Sequence, residues 1–258
     1  LRYEPVLLPG QFFCHETAAL LFGAPLPEAA AEGGLHVAVF DPRTPPRGKG
    51  VTGHRVSGAG VSIAHGLPVM SAPDVWFHLS ASLAGEDLVA LGDYLVTPPR
   101  GSTAAAMSTV EQLALACERH AGKRGATRAA WALSRIRVGP QSRPESLLRL
   151  LIIAARLPEP TVRFGVGVGG GLTLHPDLAY PDARIAIEYE GDDHRLRRDV
   201  WLRDVERREL FEDAGWRVIR VTSRTLFETP TLLIARIRRL LLERSPARAV
   251  PNGRSARS

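Results

Sequence analysis

The apolar residues change period several times along the chain, and each change marks an element. His15 to Phe22 carries them at helical spacing and runs into Gly23, which predicts a short helix with a glycine stop. Leu35 to Phe40 (LHVAVF) predicts a strand, followed by a loop rich in Pro, Gly and Arg (PRTPPRGKG). His54 to Val56 and Val61 to Ala64 are short strand candidates. Pro73 opens a predicted helix towards Leu83, and Gly85 to Leu95 predicts another. Helical spacing returns in VEQLALACERHA and ATRAAWALSRI, so Ser102 to Val138 is read as a helical segment punctuated by Gly122 and Gly125.

A new pattern begins at Ser142. Ser142-Arg143-Pro144-Glu145 is a capping box with proline at the first helical position, predicting a helix to about Arg156 that Leu157-Pro158-Glu159-Pro160 ends. Two strands are expected in TVRFGVGV and LTLHPDLAY, joined by Gly169-Gly170-Gly171. A third is expected in ARIAIEYEGDDHR, Ala183 to Arg195. A charged helix from about Asp199 to Ala214 ends at Gly215, Trp216 to Thr222 alternates as a fourth strand, and Leu226 to Glu243 predicts a final amphipathic helix. The expected fold is α/β. An α+β region over 1–100 and a helical segment over 101–140 precede an α-β-β-β-α-β-α domain over 141–244, with a disordered tail over 245–258.

Composition narrows the class. The 258 residues are 45% hydrophobic and 23% charged, enough to bury a core in one or two domains. No apolar run reaches the ~18 residues of a membrane span, and the start, LRYEPVLLPGQFF, lacks a secretory layout. Leu1 stands where a methionine would, which leaves room for residues before it. Cys14 and Cys117 are too few for a disulfide framework, so a reduced, cytoplasmic setting without a membrane partner is expected. The net charge of +6 favours anionic partners, nucleic acid above all, although arginine richness from a GC-rich genome accounts for the same balance. Lys49 and Lys123 are the only lysines, so none is available for chemistry further on.

Two weak motifs carry no function. Gly165, Gly167 and Gly170 fit GxGxxG, but an alternating segment with Pro176 follows where a pyrophosphate site needs a helix; a hairpin turn is expected. Zinc is not expected, because adjacent Cys14 and His15 with remote Cys117 match no common ligand spacing.

The third strand carries the candidate chemistry. Alternation puts Ile185, Ile187 and Tyr189 on one face and Ala186, Glu188 and Glu190 on the other. An even-numbered loop through Pro181–Arg184 places Asp177 across from Glu188 and His175 across from Glu190. Like charges at such opposed positions destabilise a strand pair, so arginine neighbours or a bound cation must offset them. Mg²⁺ needs only one or two carboxylates besides water and phosphate, and Asp177 with Glu188 supplies that pair. Glu190 could align or deprotonate the attacking water, and Gly191 leaves room for a phosphate backbone.

Plainer roles compete at each position. Glu145 is first a capping residue and second an outer metal ligand. Asp182 is a turn former, Asp192 and Asp193 can cap the turn, and His194 alone reads as a loop histidine. Glu188 and Glu190 can form the wet face of a strand paired with arginine. Arg195, Arg197, Arg198, Arg203, Arg207 and Arg208 are either phosphate contacts or a solvated helix face, with Asp204 and Arg208 as an i,i+4 pair.

At these residues the chain resembles a family. Glu145, HPDLAYPDARIAIEYEGDDHR, WLRDVERREL and GWRVIRVT resemble the restriction-endonuclease-like PD-(D/E)xK nucleases, in the branch related to very-short-patch-repair endonucleases. The resemblance covers Ser142 to Glu243 and implies a Mg²⁺- or Mn²⁺-dependent endonuclease acting on DNA. It makes Asp177 and Glu188 metal ligands and puts Glu190 at a position often held by lysine. With no lysine there, His194 or Arg195 could serve as acid or phosphate contact. CHETAALLFGAPLP, LHVAVF, HRV and GLPVMSAPDVWFHLSASLAGEDLVALGDYLV more weakly resemble AbiEi-type antitoxins, which implies a cognate toxin protein as partner. Such antitoxins usually open with a winged helix that binds DNA, which this sequence does not display. A non-catalytic nucleic-acid-binding regulator on a nuclease fold is the alternative reading.

Overall fold

The computed structural model describes residues 7–191 and 198–244, with the backbone alone over 198–205. It is mixed α/β and divides into two compact units, Leu1–Leu150 and Leu151–Ser258. No described helix is long and apolar enough to cross a membrane.

The first unit opens with β1 (Gln11–Phe13), α1 (His15–Leu21), α2 (Glu28–Ala31), β2 (Leu35–Phe40), β3 (Val51–Val56), β4 (Val61–Ala64) and β5 (Leu67–Met70). The strands form one sheet in the order β3-β2-β1-β5-β4. β2 runs antiparallel to β1 and parallel to β3, while β1 pairs parallel with β5 at Phe13 and Val69. α3 (Ala72–Leu79), α4 (Gly85–Val96), α5 (Val110–Arg119) and α6 (Ala126–Leu133) follow. Phe12, Phe13, Trp76, Phe77, Leu88 and Leu91 fill the core between them. The segment expected to be helical from Ser102 starts only at Val110, where Thr109 and Gln112 form a reciprocal capping box. α3 likewise stops at Leu79 rather than Leu83. The helical segment belongs to the first unit, and the division at Leu150 falls inside α7 (Arg143–Ala154).

The second unit contains β6 (Thr161–Val162), β7 (Val166–Gly167), β8 (Thr173–Leu174), β9 (Leu178–Tyr180), β10 (Ile185–Glu190), α8 (Arg198–Asp213), β11 (Arg217–Thr222), α9 (Ser223–Phe227) and α10 (Pro230–Arg244). Each of the first two expected strands is broken in two. Arg163 takes a left-handed φ of 48°, which turns the chain out of β6 before β7 begins. Pro176, which has no N–H for a ladder, separates β8 from β9. β7 and β8 form the glycine-turned hairpin expected from the sequence, with Gly169, Gly170 and Gly171 all at positive φ.

The remaining strands form a sheet in the order β11-β10-β9-β6. β9 is antiparallel to both neighbours, whereas β11 lies parallel to β10 after the crossover through α8. On one face Ala186 of β10 and Val218 of β11 pack with Val166 and with Phe211 of α8. The last helix is interrupted: α9 ends at Phe227, and Pro230 opens α10, because a proline ring cannot continue the turn before it.

Candidate functional site: carboxylates between two guanidinium groups

β10 pairs Ile185 with Tyr180, Ala186 with Ala179 and Ile187 with Leu178. That is the expected register, and its next step sets Asp177 opposite Glu188. β9 has ended there, and the Asp177 side chain continues the pairing in its place: Oδ2 accepts the Tyr189 backbone N–H at 2.9 Å. The Asp177 carbonyl meanwhile accepts from the Arg163 N–H at 3.1 Å, so the residue is fixed on two sides.

Glu188 points to the face covered by α8. Arg207, one turn before the buried Phe211, reaches down so that Nε meets Glu188 Oε1 at 2.8 Å and Nη2 donates to the His175 carbonyl at 2.8 Å. Burial pushes the Glu188 carboxyl above its ordinary range. The charge and hydrogen bond of Arg207 pull it down, the charge of Asp177 adds to the rise, and Arg220 lowers it again. Arg220 stands beside Glu188 in the parallel ladder and pairs with Glu190, Nε to Oε1 at 2.6 Å.

The costly concentration of like charge expected at this strand is therefore real, and two arginines offset it at Glu188 and Glu190. Arg207 was expected at phosphate or in solvent; its place between Glu188 and His175 depends on packing that its helix pattern does not announce. His175 does not sit across from Glu190. The break at Pro176 takes it out of the ladder, and Nδ1 lies 3.1 Å from the Arg163 carbonyl. Arg208 pairs with Glu212 at 2.8 Å, while the Asp204 side chain lies outside the described residues. His194 and Arg195 also lie outside them, as does the side chain of Arg198, the first residue of α8.

Glu145 shows the contacts of a cap. Its Oε1 accepts from Ser142 Oγ at 3.0 Å, and Oε2 accepts from the Gln141 N–H at 3.1 Å and from Arg100 Nη2 at 3.0 Å. The Ser142 and Gln141 bonds belong to the expected capping role, and Arg100 adds an ion pair.

The first unit holds a second concentration of reactive side chains that local spacing does not reveal. Cys14, His15 and His54 converge so that one donor atom from each lies within 4.8 Å of the others. His54 arrives from β3, two strands from β1, so only sheet order brings it near.

Two uncharacterised proteins, each from a strain of Mycobacterium tuberculosis, are 33% identical to the chain over 101 residues. The match spans 39% of this chain and 37% of each relative. No family model matches the chain, and no solved structure matches it significantly.

Proposed function

We propose that the second unit is a divalent-metal-dependent endonuclease domain of the restriction-endonuclease-like kind, hydrolysing phosphodiester bonds in DNA. The observation that carries this reading is the Asp177 carboxylate, hydrogen-bonded to the Tyr189 N–H and thereby held beside half-buried Glu188 across a hairpin. The sheet order β11-β10-β9-β6, with its last strand parallel after a helical crossover, is consistent with it.

The donor set suits a hard cation. Asp177 and Glu188 offer carboxylate oxygens with no sulfur or imidazole, which favours Mg²⁺ or Mn²⁺ over softer metals. Glu188 Oε2 has no hydrogen-bond partner among the described residues, so one of its oxygens is open to a metal while Arg207 keeps the other. A bound cation would polarise a phosphate oxygen and make its water more acidic. The protein's own groups do the positioning. Asp177 is oriented by a backbone N–H, Glu188 by Arg207, and Glu190 by Arg220, which would hold Glu190 ready to accept a proton from water.

The same two ion pairs favour a second reading, a catalytically inactive nucleic-acid-binding regulator. Glu188 and Glu190 are neutralised without a metal, and no lysine follows Lys123. The antitoxin-like first unit would then supply the biological role, with a cognate toxin protein as its partner.

Incubation of the purified chain with plasmid DNA in Mg²⁺, Mn²⁺ or EDTA separates the two. Nicking that needs the divalent ion and is lost in Asp177→Asn supports the nuclease. Gel shifts without cleavage on any substrate support the regulator, and cleavage that survives Asp177→Asn and Glu188→Gln removes the site assignment.

A further inference from the structure

Five of the eight histidines, His15, His36, His54, His78 and His120, gather in the first unit as one chain of ring contacts. Their centre is His15. Its ring stacks on His54 with centroids 3.9 Å apart and 20° between planes, and meets His78 edge-on at 5.2 Å. His15 takes a left-handed φ of 49° at the start of α1, a conformation that costs a non-glycine residue about 1–3 kcal/mol. The surrounding structure holds the ring in place at that cost. Yet His15 Nδ1 is buried with no hydrogen-bond partner, and so is His78 Nε2. A buried imidazole nitrogen without a partner is unfavourable unless something else takes its lone pair.

Cys14, between β1 and α1, is fully buried. We infer that Cys14, His15 and His54 form a site for a zinc-class cation, with one sulfur and two imidazole donors and with His78 on α3 as a candidate fourth ligand. Sulfur and imidazole together select a borderline-soft metal over Mg²⁺, and three protein ligands leave the fourth position to His78 or water.

The outer contacts fit this arrangement. His36 Nδ1 lies 2.9 Å from His54 Nε2, and His36 Nε2 lies 3.5 Å from Glu16 Oε2. A proton on Nε2 of His36, facing the carboxylate, leaves Nδ1 to accept from His54 Nε2–H. His54 Nδ1 then keeps a lone pair to donate. A second imidazole hydrogen-bonded behind a ligating histidine can fix its tautomer and ring orientation at a metal site, and Glu16 Oε2 faces His36 outside hydrogen-bond geometry. Ligation takes neutral imidazoles and a thiolate, so metal binding would displace the proton of the Cys14 thiol. The metal would tie the β1–α1 junction to β3.

The test is calorimetric titration of the untagged, EDTA-treated full chain with Zn²⁺, together with absorption spectra after Co²⁺ loading. The expected result is one equivalent bound with sub-micromolar Kd and a thiolate-to-cobalt charge-transfer band. Cys14→Ser should abolish that band, and Cys14→Ser and half-buried His54→Gln should each weaken Zn²⁺ binding at least tenfold. Circular dichroism of His54→Gln keeps loss of binding separate from loss of fold. Cys117→Ser should bind as the wild type does, and Asp177→Asn should keep the thiolate-to-cobalt band, which separates this site from the carboxylates of the second unit. Absence of saturable binding, or binding that Cys14→Ser or His54→Gln leaves unchanged, overturns the inference.

Discussion

Arg207 Nε lies 2.8 Å from Glu188 Oε1, so the carboxylate proposed to bind a metal is already held by a cation of its own chain. Guanidinium and metal would then share one half-buried carboxylate, and the positive charge of Arg207 would oppose the metal at the other oxygen. Arg207→Gln should melt below the wild type in EDTA, because Glu188 loses its compensation. It should also bind Mn²⁺ more tightly, by about tenfold if a charge-assisted hydrogen bond worth ~1.5 kcal/mol is removed. Calorimetry and thermal melts with and without Mn²⁺ measure both effects, and unchanged affinity would show that the Arg207 charge does not oppose a metal at Glu188.

Asp177 should separate structure from chemistry by its choice of replacement. An asparagine retains an oxygen for the Tyr189 N–H, so Asp177→Asn should fold with nearly native stability while losing divalent-ion binding. Asp177→Ala leaves that N–H without its acceptor and should cost a further ~1–3 kcal/mol. Urea melts of the two variants at neutral pH compare them; equal stabilities would show that water replaces the carboxylate without loss.

The Asp93–Arg149 pair, fully buried at 2.9 Å, sets the largest stability effect expected in the first unit. Asp93 also accepts from the Arg137 N–H and from Ser146 Oγ, while Arg149 donates to the Arg135 carbonyl. Asp93→Ala strands a buried guanidinium and should cost about 3–5 kcal/mol. Asp93→Leu combined with Arg149→Met should cost less than Asp93→Ala alone, since no charge is left unpaired. Denaturant unfolding of the single and double variants decides this.

Asp74 should control acid stability. Burial raises its carboxyl pKa, but hydrogen bonds from Ser71, Arg119, the Gly60 N–H and His120 outweigh burial and hold it below the ordinary value. A depressed acid stabilises the fold above its unfolded pKa of about 3.9 and loses that contribution as pH falls through the folded value. Asp74→Asn should therefore be less stable than wild type at neutral pH, and the gap should close below about pH 4. Thermal melts from pH 7 down to pH 3 would show the convergence; a constant gap would point to lost packing instead.

Much of this was legible in the chain because local rules governed it. The alternation of Ile185 to Glu190 and an even-numbered turn were enough to set Asp177 against Glu188. The Ser142–Glu145 cap announced α7, and three consecutive glycines announced the β7–β8 turn. What was illegible depended on distant neighbours or on backbone exceptions. Arg163 at positive φ divides a strand whose side-chain pattern is continuous. The pairing of Arg207 with Glu188 follows from Phe211 docking on the sheet one turn later. The histidine cluster escaped because its members are spread from His15 to His120, and ligand spacing along a sequence describes only sites built from one or two local segments. Pro230 is a different case: its signal was present, and amphipathic spacing on both sides hid the break.

The parallel pairing of β10 with β11 joins Ile185 to Arg217, thirty-two residues further along. During synthesis the acidic strand therefore leaves the ribosome with one edge bare, and Glu190 waits for Arg220 until α8 has been made. A nascent chain halted within α8 would expose that edge to other strands. Charge on Glu188 and Glu190 would discourage such misjoining, so the residues proposed for hydrolysis would also act as gatekeepers while the domain is incomplete.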